Sequence, residues 1–228
     1  MTVPTQAQLD FLQSIDTPTV CNLIEVVAPA RRGSGYTVKH LHCPFPDLPP
    51  IVGFARTVTF KAKDAVPLGQ AGYMQKRLDY LDYVASPPRP SIMVMEDLDG
   101  EHVGYGAFWG EVQSNVHKAL GCLGVVTSGS IRDIPMIAPG FQMLAGSIVP
   151  SHAYVHVVDY GIDVNVHGMA VKSGDLVHAD RHGAVVVPID KIDAMQAALE
   201  GLSAREAKII AAAKAGGDVA AIKAAMTG

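Results

Sequence analysis

Apolar residues recur at helical spacing in several stretches of this chain and alternate, or run unbroken, through most of the rest. Leu9, Leu12 and Ile15 predict a short amphipathic helix over residues 5–15. Thr17-Pro18 reads as a cap followed by proline at the first helical position, opening a second helix through about residue 27. Residues 28–50 are rich in Pro and Gly with little periodicity, a long loop of the kind that often carries function in a compact domain. Val52, Phe54, Val58 and Phe60 mark a strand over 51–62, and Met74, Leu78 and Leu81 a helix over 67–84 that Pro87-Pro88 ends. A buried strand at 91–96 leads into a loop at 97–108. Val112, Val116 and Leu120 lie in register for a helix over 109–120. A strand at 123–127 and a single helical turn at 133–138 follow. Residues 141–188 read mostly as strand, cut by Gly161, Gly168, Gly174 and Gly183. Ile192, Met195, Leu199 and Leu202 form the apolar side of a last helix over 190–215. Helix and strand alternate early and strands dominate later. The fold class is therefore α/β: one domain over 1–228 with a mixed sheet, N-terminal helices and a C-terminal helical tail at 190–228.

Composition narrows the classes of function. A chain of 228 residues, 49% hydrophobic and 18% charged, is globular and buries a full core, and so low a charge content suggests surface shared within an oligomer. With a net charge of −4 and no basic cluster beyond a pair such as Arg31-Arg32, nucleic acid is not expected as a partner. No apolar run reaches membrane-spanning length, so no membrane is expected either. The first residues lack the basic-then-apolar pattern of a secretory signal. Cys21, Cys43 and Cys122 are odd in number and widely spaced, which gives neither a disulfide framework nor a zinc site, and a reducing cytoplasm is the expected location.

The candidate chemistry gathers between residues 109 and 133. A helix, a buried strand and a Gly-punctuated turn are expected to end in Arg132-Asp133, at the carboxyl end of a strand where α/β proteins bind ligands. Asp133 suits Mg²⁺, which keeps several waters and needs one or two carboxylates; it equally suits a surface ion pair or a cap on the following turn. Arg132 can grip a carboxylate or an enolate oxygen in bidentate fashion, or serve a structural salt bridge. Gly110-Glu111 precede a helix whose first amides, those of Val112 and Gln113, can bind an anion. Glu111 can act on a water, or simply complement the helix dipole. His152 and His156 would stand about 13 Å apart on a strand and cannot share an ion. His178, Asp180 and His182 read as exposed turn residues, and Cys122 as a core thiol. The glycines of 104–110 miss the dinucleotide fingerprint, and no phosphate-binding loop or nucleophile elbow is present.

These residues also carry a resemblance. The segment WGE at 109–111, followed by GSIRD at 129–133 with Asp133 placed 22 positions after Glu111, resembles the RraA-like family, which includes class II 4-hydroxy-4-methyl-2-oxoglutarate/4-carboxy-4-hydroxy-2-oxoadipate aldolases. TPTVCN at 17–22, VGFARTVTF at 52–60 and VKSGDLVHADRHGAVVVP at 171–188 extend the likeness over most of the chain. The resemblance implies a single-domain β/β/α sandwich of the swivelling-domain type, assembled as homotrimers or homohexamers with sites between subunits. It implies that Asp133 binds Mg²⁺ or Mn²⁺, that Arg132 contacts a pyruvate oxygen, that Glu111 holds a metal-bound water, and that the Val112 and Gln113 amides bind the carboxylate of a small 2-oxo acid. Glu206 would be an acidic contribution from a neighbouring subunit. Val112-Gln113 stand where the aldolases usually have a Leu pair, Ser173 stands where relatives have Pro, and the 28–50 loop with His40 and His42 has no counterpart. The implied activity is aldol cleavage of a 4-hydroxy-2-oxo acid to pyruvate, with oxaloacetate decarboxylation alongside. The alternatives are a non-catalytic regulator that binds an RNA-degrading endonuclease, the family's other role, and a metal-dependent lyase or hydrolase acting on another oxo- or hydroxy-acid.

Overall fold

The structure, a computed structural model, describes residues 3–66 and 70–227. Helices α1 (Gln6–Gln13) and α2 (Thr17–Val27) lead through the long loop to strand β1 (Ile51–Lys61), helix α3 (Gln70–Ala85) and strand β2 (Ser91–Asp97). Next come β3 (Ala107–Trp109), helix α4 (Glu111–Ala119), β4 (Cys122–Ile131) and β5 (Gln142–Ile148). Short strands β6 (His156–Tyr160), β7 (Val164–Val166), β8 (Met169–Val171), β9 (Leu176–Asp180) and β10 (Gly183–Val187) precede helices α5 (Ile192–Lys214) and α6 (Val219–Thr227). No helix among the described residues is long and apolar enough to cross a membrane.

A mixed eight-stranded sheet runs β10-β9-β1-β2-β4-β3, with β5 also on β4 and β6 also on β1. The β1–β2, β2–β4, β3–β4 and β4–β5 pairs are parallel; β1–β9, β1–β6 and β9–β10 are antiparallel. Alternation along β2 assigns the layers. Ile92 and Val94 pack against Val164, Val166, Met169 and Val171 of the β7–β8 hairpin, whereas Met93 and Met95 pack against Tyr80, Val84 and Trp109 on the helical side. The molecule is thus a β/β/α sandwich. Helices α1, α2 and α5 seal β9 and β10 through Leu12, Leu23, Leu176, Val185, Ile192 and Met195, as the apolar side predicted for the last helix requires.

Several expectations change in the folded chain. The Gly-punctuated turn before Arg132 is strand: β4 continues, buried, through Ile131, with a register shift against β5 between Thr127 and Ser130. Gly129 is there for space, since a Cβ would run into the Phe60 ring. Residue 109 ends a strand and is not helical. In α3 only part of the predicted stripe faces inward: Leu81 packs against the core, whereas Met74 and Leu78 are exposed and Tyr80 and Val84 are buried. The expected start of that helix at 67–69 lies outside the described residues. In α4 the buried positions are Ser114 and His117, not Val112, Val116 and Leu120. The cap of α2 is Asp16, whose carboxylate accepts from the Thr19 amide at 2.9 Å. The 28–50 loop is pinned by a two-way bridge between His42 and Ala145 and by a Tyr36–Val185 bridge. Its His40 and His42 rings meet edge to face at 5.1 Å.

Candidate active site

The register of two parallel strands builds the site. β3 pairs with β4 through Ala107–Ser130 and Trp109–Ile131, and the Arg132 amide donates to the Trp109 carbonyl at 2.9 Å. The residues that follow each strand, Gly110-Glu111 and Arg132-Asp133, therefore emerge side by side at the carboxyl ends. The 22-residue spacing in the sequence is this register.

Asp133 takes a left-handed backbone conformation, φ 55° and ψ 33°, a region that Asp tolerates better than most residues. Its carbonyl accepts from the Met136 amide at 2.7 Å to start the short helical turn Ile134–Met136. Its carboxylate makes no capping bond to that turn, so the capping alternative is removed. Instead Oδ2 lies 3.5 Å from Arg132 Nε and 3.4 Å from the Glu111 amide, which donates to it. Both side chains remain about one-third exposed to the cleft (34% and 37%).

Helix α4 begins at Glu111, with Gly110 as a cap that offers no side-chain bond. The first amides of a helix have no partner within it, so those of Val112 and Gln113 are donors facing outward, with the positive end of the helix dipole behind them. Gly110, Glu111, Val112, Gln113, Arg132 and Asp133 all line one cleft of about 400 Å³. The residues proposed for the site from the 110–133 stretch are therefore gathered in one place. The opposite walls come from Tyr73, Arg77, Tyr80 and Leu81 of α3 and from His152, Val155 and Val157 around the start of β6. Val112 and Val116, expected in the core, line the cleft instead.

Sequence reasoning missed the α3 wall, because nothing local links Tyr73 or Arg77 to residues beyond 107. It considered His152 only as a metal partner of His156; His152 in fact faces the cleft, its Nδ1 2.7 Å from the Ala153 carbonyl, while His156 is buried on β6. It also missed His117. This buried ring lies tilted by 56° beside Trp109, with ring centroids 4.6 Å apart, and desolvation pulls its pKa down to about 4.

The donor chemistry of the cleft fits a particular kind of ion. Among the described residues no group of three or more His, Cys, Asp or Glu could hold a metal. A closed zinc site is therefore not built here. Two carboxylates, Glu111 and Asp133, line the open cleft, and so small a set would suit an ion that keeps most of its water, as Mg²⁺ does.

Other candidates fall elsewhere. His178 and Asp180 are buried, not exposed: they clasp the link between α1 and α2. The Thr17 hydroxyl lies 3.0 Å from His178 Nδ1, and His178 Nε2 donates toward the Leu12 and Ile15 carbonyls at 3.0 and 3.1 Å. Asp180 accepts from the Thr17 and His182 amides at 2.9 and 2.8 Å. These hydrogen bonds to the α1–α2 link offset the cost of burying two polar side chains. Glu206 lies on α5, where it accepts from Asn22 Nδ2 at 3.4 Å, away from the cleft lining of its own chain. Cys122 is buried and burial pushes its thiol up, in keeping with a core role.

Comparison with known proteins places the family and the fold. The family model described as RraA-like, Aldolase/RraA, matches residues 17–186. A Halalkalibacterium halodurans protein named "Putative 4-hydroxy-4-methyl-2-oxoglutarate aldolase" is 25% identical over 186 residues, 80% of this chain and 79% of that protein. Among solved structures, an uncharacterized protein from Pseudomonas syringae superimposes with a TM-score of 0.69 at 20% identity, covering 99% of both chains. Streptomyces coelicolor RraAS2, described as an unusual member of the RNase ES inhibitor RraA protein family, does so with a TM-score of 0.68 at 21% identity, covering 90% of this chain and 97% of its own.

Proposed function

The chain belongs to the RraA-like (Aldolase/RraA) family, and from that premise we propose that it is a divalent-metal-dependent carbon–carbon lyase that cleaves a 4-hydroxy-2-oxo acid to pyruvate and a carbonyl compound, with oxaloacetate decarboxylation as a side activity. The observation that carries this reading is the convergence of Arg132, Asp133 and the first turn of α4 on one cleft. A 2-oxo acid has a carboxylate beside an electrophilic carbonyl, and the cleft offers an anion-binding helix start beside a cation and a carboxylate.

The Val112 and Gln113 amides hold the substrate carboxylate. Arg132 donates to the 2-oxo oxygen, where negative charge develops. Asp133 would hold Mg²⁺ or Mn²⁺, which would supply Lewis-acid stabilisation of that same charge. The 4-hydroxyl loses its proton as the C3–C4 bond breaks. The bonding pair passes into the 2-oxo group, giving pyruvate enolate and releasing the carbonyl product. Glu111, exposed at the mouth, relays that proton through water and returns one to C3. Oxaloacetate loses CO₂ through the same enolate. The apolar Met74 and Leu78 on the outer side of α3 are suited to contact between copies in a homotrimer or homohexamer, and the three free cysteines Cys21, Cys43 and Cys122 to a reducing cytoplasm.

The test is pyruvate release from oxaloacetate and from 4-hydroxy-4-methyl-2-oxoglutarate, with Mg²⁺ and then with EDTA. Metal-dependent release from either supports the lyase. No release with the metal present and the protein folded rejects it in favour of the second reading, a non-catalytic regulator that binds an RNA-degrading endonuclease, which the likeness to RraAS2 brings forward. That role needs none of Glu111, Arg132 and Asp133.

A further inference from the structure

Behind the cleft one imidazole touches three elements of its wall. His117 is fully buried, with Nδ1 2.7 Å from the Gln113 carbonyl and Nε2 2.6 Å from the Tyr80 hydroxyl. A carbonyl only accepts, so Nδ1 carries the proton. Nε2 of the neutral ring is then a bare acceptor, and the Tyr80 hydroxyl donates to it. Desolvation keeps the ring neutral at ordinary pH, so this polarity is fixed. The same ring lies 4.6 Å from Trp109, whose carbonyl holds the Arg132 amide.

The first turn of α4 is gripped from the other side as well. Buried Ser114 donates to the Glu111 carbonyl at 2.9 Å and accepts from the Ala138 amide at 3.0 Å, in the segment just past Asp133. The turn that carries the two anion-binding amides is thus held between α3, through Tyr80 and His117, and the 133–138 segment, through Ser114. A hydrogen-bonded chain fixes direction as well as distance, which an apolar contact does not.

We infer that Tyr80 and His117 are positioning residues for the reaction proposed above: the chain from the Tyr80 hydroxyl through His117 to the Gln113 carbonyl sets where the Val112 and Gln113 amides stand relative to Arg132 and Asp133. The inference rests on that functional reading for its effect on substrate, but the mechanical coupling is a property of the ligand-free protein. It also makes Trp109, the sole tryptophan, an optical reporter of the first turn of α4.

Tyr80→Phe removes one oxygen and preserves the ring that packs on Phe108 and Tyr160. His117→Asn keeps a donor for the Gln113 carbonyl, much as Asn115 donates to the Glu111 carbonyl at 2.8 Å. With oxaloacetate and Mg²⁺, Tyr80→Phe is expected to raise KM about tenfold while kcat stays within about twofold, the loss of one oriented hydrogen bond. The double variant is expected to be no worse than the worse single one, since both cut the same chain. In the ligand-free protein, ¹⁵N relaxation order parameters of residues 111–114 are expected to fall in Tyr80→Phe, and Trp109 emission to shift. Unchanged KM and unchanged order in folded Tyr80→Phe overturn the inference, as does strict additivity of the two substitutions. If the wild-type protein releases no pyruvate, the functional reading fails, and the order parameters and Trp109 emission alone decide the coupling: loosening supports it and preserved order overturns it.

Discussion

The carboxylate of Asp133 occupies the space that a side chain at residue 110 would need: a Cβ built on Gly110 meets Asp133 Oδ2 at 2.5 Å. The backbone of Gly110 is extended, φ −168°, so any residue could adopt it. Glycine is required there by the neighbour alone. Gly110→Ala should therefore displace Asp133 from the cleft and reduce metal-dependent pyruvate release at least ~100-fold, as loss of a charge-stabilising group does. The melting temperature should change by only a few degrees, because the atom that must give way is the end of the partly exposed Asp133 side chain. Wild-type turnover in Gly110→Ala would remove Asp133 from the chemistry.

Asp133 and Arg132 can be tested without disturbing the fold. Asn shares the tolerance of Asp for the left-handed region, so Asp133→Asn keeps the turn and removes the charge. It should abolish dependence on added Mg²⁺ together with activity. Arg132→Lys keeps a cation but loses the planar fork, and it should recover little of the turnover lost in Arg132→Ala. Steady-state kinetics on the three variants, alongside circular dichroism, checks both expectations.

Arg77 and His152 face the site from walls that the pyruvate-forming end does not use. In the proposed reaction they would meet the part of the substrate that departs as the carbonyl product. Arg77→Ala should raise KM for 4-hydroxy-4-methyl-2-oxoglutarate, about tenfold for one charge-assisted contact, and leave inhibition by pyruvate itself unchanged. Equal weakening of pyruvate would place Arg77 at the wrong end of the cleft.

Acid should destabilise the protein before its carboxylates are fully protonated. Burial lowers the pKa of His117 to about 4 against an ordinary 6.5, and it lowers that of His178 in the same direction. Between those two values the unfolded chain takes up a proton that folded His117 refuses. Stability is thus fully present above pH 6.5 and lost as pH falls toward 4, by about 3 kcal/mol at most from His117. Urea melts at pH 7.5, 5.5 and 4.5 should show this decline, and His117→Asn should flatten it. A stability independent of pH over that window would contradict the burial of a neutral His117.

The Thr17–Asp180 clasp adds a second acid-sensitive element. Burial opposes ionisation of Asp180, but the Thr17 and His182 amides outweigh it and hold the carboxyl below its ordinary value. That contribution is present above the ordinary carboxylate range and is lost as pH falls through the lowered value. Asp180→Ala leaves the Thr17 amide and the His182 amide without their acceptor, and should cost about 1–3 kcal/mol at pH 7 with no effect on KM. A change in KM would tie this corner to the cleft.

The linear pattern determined much of this. The unbroken apolar run of β2 marked a strand buried on both faces, and period 3.6 fixed the buried side of α5, because a side chain's face follows from its position in a regular element. The spacing of Glu111 from Asp133, with the residue types around it, named the polar half of the cleft and the family. Tertiary structure alone decided the rest. Met74 and Leu78 point outward and Tyr80 inward because α3 packs on β6 and α4 through its aromatic side, which no local period encodes. His178 and Asp180 are buried because α1 and α2 fold back over β9, bringing Thr17 to residues more than 160 positions away. The strand through Ile131 replaces the expected turn because Gly129 lets Phe60 approach, a contact between strands far apart in sequence. Arg77 and His152 join the site for the same reason: the cleft is a meeting of α3, α4 and the loop before β6. Local propensity can place each of them on its own element, but only packing brings the elements together.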